Sequence, residues 1–392
     1  MSNILNILSH FFFALYITAT AVPLVFRTQG IYPLTCIISI IMTVVCTIFR
    51  TLYRISDKQV CLFIFCMIIF LVSFLTLESP LGIDNLKNIF QFYIIAGLGS
   101  LLIVNNKYDY ELFLKVLITI GIVISPIVTT TNYSSLSYEA NDEWMGTIYA
   151  ITPFLVASIH YLFTGKEKLF NLLGILCVLM YGTMFIVRTP RGAVVTLLAS
   201  IIIFFIQRKL NNGWSKWKVA GMGIVLFVAI ILASDVLLMF FRIIAVNFDL
   251  HWLTKFVIDE DISNNRFPIF IQAIDGFLDS PIWGQGLARF DNFNGYPHNL
   301  FLQMLYETGV LMIIPMCYLL YCAVKIIFKR HNYFGLDYRF VTFYFLLSIN
   351  QLMFSSFFWR NHCFWLLIWT VLAYKNKHKL YENFVNSQKN LF

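Results

Sequence analysis

The sequence predicts an all-α protein: a polytopic integral membrane helical bundle of about 12 transmembrane helices, with one large structured outer loop containing amphipathic helices. Three observations lead there. Of 392 residues, 59% are hydrophobic and only 12% charged, with 40 Phe and 20 Tyr, more apolar than soluble domains are. Apolar runs of roughly 17–25 residues follow one another from end to end, separated by short polar breaks. The Lys and Arg residues fall mostly on alternate breaks, as the positive-inside rule requires.

The spans are expected at roughly 5–26, 31–49, 59–77, 88–104, 111–131, 147–163, 169–187, 192–207, 218–239, 299–326, 340–357 and 361–374. No basic residue precedes the first run, so a cleaved signal peptide fits poorly despite Ala19-Thr20-Ala21, and the run is read as a span. With the N-terminus inside, the outer side carries only Arg27, Lys87, Arg188, Arg191, Arg242, Lys255, Arg266, Arg289 and Arg360. Both termini are then cytoplasmic and every long polar loop faces out. The formal charge of +8 is therefore a matter of topology and calls for no nucleic acid. Residues 1–392 read as a single transmembrane domain.

Most connections are short, but two outer loops stand out. The first, 132–146, carries Glu139, Asp142 and Glu143; the second, 240–298, joins spans nine and ten. Within it Phe267, Phe270, Ile271, Ile274, Phe277 and Leu278 recur at helical spacing, with Gln272, Asp275 and Asp279 opposite, which predicts an amphipathic helix on the outer leaflet. Ser263 or Asn264 can cap it, Pro268 fits its first turn, and Ser280-Pro281 ends it. Gly284 and Gly286 in PIWGQGLARF allow a tight turn, and YPHN then opens the tenth span. The cysteines, Cys36, Cys46, Cys61, Cys66, Cys177, Cys317, Cys322 and Cys363, lie in or beside apolar runs without a C-x-x-C pair and read as packing residues.

Chemistry concentrates on the outer side. Arg188 and Arg191, in VRTPRGAVV, sit at a membrane edge, where they either snorkel or bind something. Arg266 and Arg289 share their side, in a loop whose acidic residues outnumber its basic ones, so a nonspecific basic patch is excluded. Guanidinium groups converging there suit a lipid-linked phosphate or pyrophosphate, and the competing reading pairs each with a local acid. His298 follows Pro297 at the start of a long helix, where the helix dipole and neighbouring guanidinium groups favour neutral imidazole. It reads as an interfacial residue or a general base; no second ligand at metal spacing stands nearby, and no metal is expected. Glu307, inside span ten, is either paired within the bundle or part of the site.

The combination of Arg191-Gly192 opening a mid-chain span, one large outer loop, and then P-I-W-G-Q-G, H-N-L-F-L-Q and E-T-G resembles the O-antigen polymerase and O-antigen ligase superfamily of bacterial inner membranes. The resemblance is strongest over 185–320. It implies a multi-pass inner-membrane glycosyltransferase, cofactor-free and metal-independent, with its site on the periplasmic face. It further implies an undecaprenyl-pyrophosphate-linked oligosaccharide as donor and as acceptor, with membrane lipids and a chain-length regulator protein as partners. By position, Arg191 and Arg266 would hold the pyrophosphate, with Arg188 and Arg289 assisting, and His298 would orient or deprotonate the acceptor hydroxyl. Asn299 and Glu307 would border the acceptor site. The short spacing between the P-x-x-G-x-G turn and YPHNLFLQ looks more like polymerases than like ligases, which transfer the glycan to lipid A core. A lipid-linked oligosaccharide flippase is the reading from another class, but carriers place charge near the midplane in two related halves, and here no half-repeat is visible.

Overall fold

The computed structural model describes residues 2–26, 28, 30–48, 55–75, 93–133, 141–188, 191–215, 217–218, 221, 244, 247, 266–287, 297, 299–329, 337–353 and 357–389, with the backbone alone at several helix ends. Among the described residues every regular element is helical. In order these are α1 (Ser2–Ile17), a 3-10 turn (Ala19–Ala21), α2 (Val22–Phe26), α3 (Ile31–Ile48), α4 (Asp57–Leu75), a π-turn (Ile94–Leu98) and α5 (Gly99–Val104). There follow α6 (Tyr110–Tyr133), α7 (Asn141–Thr164), α8 (Lys168–Arg188), α9 (Arg191–Asn211), α10 (Arg266–Asp279) and α11 (Leu300–Lys329). Last come α12 (Tyr338–Leu352), a 3-10 turn (Phe358–Arg360) and α13 (His362–Lys389).

Five stretches among the described residues are long and apolar enough to cross a membrane: Ile31–Ile48, Tyr110–Val128, Gly146–Thr164, Ala193–Asn211 and Leu300–Lys329. A sixth, Asn3–Ile17 with Ala19–Phe26, is bent by 65°. Pro23 explains the bend, because its ring cannot follow an unbroken helical turn and it has no N–H to donate. The chain tightens instead through Ala21 N–H to Thr18 O, at 2.8 Å. The expected span 218–239 lies almost wholly outside the described residues. Of the outer loop expected over 132–146, the described residues are helical, since α6 runs to Tyr133 and α7 begins at Asn141. Similarly, α13 continues past residue 374 to Lys389, the following sequence having no Gly or Pro to stop it.

Hydrogen bonding explains the local irregularities. Pro126 cannot donate to Ile122 O, and the Ser125 hydroxyl donates to that carbonyl at 2.8 Å instead. Around the π-turn, Tyr16 Oη donates to Ile95 O (2.9 Å) and Ala96 O (3.2 Å), and Trp369 Nε1 donates to Gly97 O at 2.8 Å. Side chains thus satisfy carbonyls that the altered turn leaves available.

The chain groups into two compact units, residues 1–113 with 265–392, and residues 114–264. In the first, Trp365 and Trp369 are fully buried on α13, stacked at 5.6 Å, and α1 packs on α3. In the second, α7 packs against α8 and α9, His160 stacking on Phe204 at 3.8 Å, and Tyr181 Oη of α8 donates to Gly121 O of α6 at 2.7 Å.

The packing of α3 is inside out relative to a soluble protein. On α3 the buried residues are Thr35, Cys36, Ser39, Thr43, Cys46 and Thr47, whereas Leu34, Ile37, Ile38, Ile41, Val45 and Ile48 are exposed. Small and weakly polar groups let helices approach closely, and large apolar groups face a medium that does not repel them. Six of the cysteines are buried, as packing residues would be, while Cys61 and Cys317 stand on outward faces. Placing Phe at Ser39 should overpack this interface and cost about 1–3 kcal/mol. The same change at Ile38 should be nearly neutral. Thermal loss of the monodisperse protein in detergent measures both, and equal midpoints would contradict the assignment of faces.

Candidate functional site

Arg188 closes α8 and Arg191 opens α9, so both mark one junction within residues 114–264. Arg266 opens α10 in the other unit. The side chains of these three arginines, and Arg289 and His298 altogether, lie outside the described residues, as do Ser263 and Asn264. His298 stands in the chain between Pro297 and Asn299, immediately before α11.

Asn299 caps that helix: its Oδ1 accepts from Phe301 N–H (3.0 Å) and Leu302 N–H (3.2 Å). The signal is present in the sequence, an Asn directly before an apolar run, and gives Asn299 a structural duty beside the expected acceptor-site role. Glu307 is fully buried, and its Oε1 accepts from Gln303 Nε2 at 3.2 Å, one turn earlier on α11.

Sequence reading missed how the motifs hold one another. At Gly309 (φ 60°, ψ −158°) the helical path of α11 breaks. Val310 N–H, which would otherwise bond to Tyr306 O, donates to Pro281 O at 2.9 Å. Tyr306 O accepts from Gln285 N–H at 2.6 Å, and Glu307 O accepts from Gly286 N–H at 3.1 Å. The PIWGQG turn and the ETG break therefore form a backbone clasp. Both motifs need glycine for steric reasons. A Cβ at Gly284 (φ 72°) would lie 2.5 Å from the Glu307 carbonyl carbon, and one at Gly309 would lie 2.4 Å from Ile282 O.

Register along the two helices follows from these contacts. Ala273 and Tyr306 form one buried cluster with Ile269 and Leu302, and Pro281 reaches Val310 farther along. Positions rise together on both chains, so α10 runs parallel to the start of α11. Arg266 and Asn299 consequently stand at the starts of two helices at the same end of the pair, where both dipoles present their positive ends. Such an end suits an anion. Among the described residues no group of three His, Cys, Asp or Glu side chains could hold a metal ion.

Gly309→Ala and Gly284→Ala should each open the clasp and destabilise the protein by about 1–3 kcal/mol, from the positive φ together with the carbonyl contacts. Gly182→Ala, where a Cβ meets nothing within 4 Å, is the matched control and should not lower stability. Thermal unfolding of the three variants in one detergent gives the comparison.

Residues 175–317 match the family described as O-antigen ligase, Wzy_C, and that segment contains Arg188, Arg191, Arg266, Arg289, His298, Asn299 and Glu307. No curated protein and no solved structure matches the chain. Over this segment the chain is similar to the O-antigen ligase family.

Proposed function

We propose that the protein is an O-antigen polymerase, which transfers the growing glycan from undecaprenyl pyrophosphate to a lipid-linked repeat unit at the periplasmic face. The observation that supports the reading is the parallel pairing of α10 with α11, because it puts the starts of these two helices, and so their positive ends, on one side. In this reading the acceptor hydroxyl oxygen attacks the anomeric carbon, the bond from that carbon to the pyrophosphate oxygen breaks, and His298 takes the hydroxyl proton. Arg191 and Arg266, assisted by Arg188 and Arg289, stabilise the charge that develops on the leaving pyrophosphate. About twelve spans, cytoplasmic termini and an outer loop over 240–298 complete the proposed topology. Ligase activity toward lipid A core is the second reading, favoured by the description of the matched family.

Lipopolysaccharide from a strain lacking the gene tests the assignment on a gel. Core capped by one repeat unit supports the polymerase, bare core with accumulated lipid-linked polymer supports the ligase, and an unchanged ladder refutes both. His298→Ala should lower transfer by roughly 10²–10⁴-fold, the usual contribution of a general base, while the protein still accumulates in the membrane. Arg191→Lys should be severely impaired, because an ammonium cannot reproduce a guanidinium fork. A chelator should leave the purified activity intact, and loss restored by a divalent ion would refute the metal-independent mechanism.

A further inference from the structure

The outward side of α10 is apolar, and its large side chains are exposed. Phe267, Ile271, Ile274 and Leu278 recur at intervals of four, three and four residues and are 67%, 49%, 45% and 65% exposed. Toward α11 the same helix turns small residues: Ala273 is fully buried, and a Cβ on Gly276 would lie 2.4 Å from the Tyr306 ring. This is the arrangement seen on α3, with small groups inward and large apolar groups outward, which identifies hydrocarbon as the covering medium. At about 100° per residue, Gln272, Asp275 and Asp279 occupy one flank of the stripe and Phe270 and Phe277 the other. One flank is thus fit for water and the other for lipid.

Depth follows from the length of α11. Its 30 residues would extend about 45 Å if straight, against roughly 30 Å of hydrocarbon. The portion from Gly309 to Lys329 is already long enough to cross, and α10 lies beside the remaining portion, which carries the buried polar residues Gln303, Glu307 and Thr308. We propose that the outward stripe of α10 is a membrane-docking face, seated in the hydrocarbon at the leaflet boundary. Neither the docking nor its test depends on the transfer chemistry.

The test replaces single residues of the full-length chain with photoreactive benzoylphenylalanine, irradiates native membranes, and identifies the adducts by mass spectrometry. Ile271, Ile274 and Leu278 should yield phospholipid adducts, and Gln272 and Asp279 should not. Cross-links from the stripe to a second copy of the chain or to another protein would overturn the proposal. So would phospholipid adducts at both sets of positions alike, or at neither. Monodispersity of each variant in detergent verifies folding before irradiation, and because the stripe positions are already exposed, the bulky probe is accommodated there.

Discussion

Backbone groups released where α11 breaks at Gly309 are the constraint on which the candidate site rests. A helix that simply stopped at this point would strand the carbonyls of Tyr306 and Glu307 and the N–H of Val310 away from water. The PIWGQG turn provides a partner for each of the three, at 2.6, 3.1 and 2.9 Å. Because the bonds are main chain to main chain, they specify position and tolerate many side chains, except at the glycines that allow the two backbones to meet. Everything between the clasp and the helix starts inherits that register, including the alignment of α10 with α11.

Elsewhere the protein is governed by a scarcity of internal partners. Hydrocarbon cannot satisfy a carbonyl, so the π-turn and Pro126 are tolerated only where Tyr16, Trp369 and Ser125 donate to the groups concerned. The same scarcity accounts for the buried Trp residues of α13, whose indole N–H groups both reach main-chain oxygens. On α3 the apolar bulk faces outward, whereas the Trp residues of α13 are buried.

Much of this is legible in the sequence, and the boundary is physical. Hydropathy locates α3, α4, α6 and α11 because burial of apolar length is a local property. The spacing from Phe267 to Leu278, with Ser280-Pro281 after it, locates α10 to within a residue or two. The bend before Val22 is readable in hindsight from Pro23, and the cap at Asn299 from its position. The clasp is not readable, since it joins segments about twenty residues apart through main-chain atoms that carry no residue identity. Pairing of Glu307 with Gln303 is a four-residue spacing on one helix, readable once that helix is placed.

The clasp also pins both ends of the segment between the PIWGQG turn and the start of α11. A chain whose ends are held by a separate structure can be lengthened at a cost that grows only logarithmically with its size. Lengthening the chain between Leu287 and Pro297 should therefore leave the pairing of α10 with α11 in register.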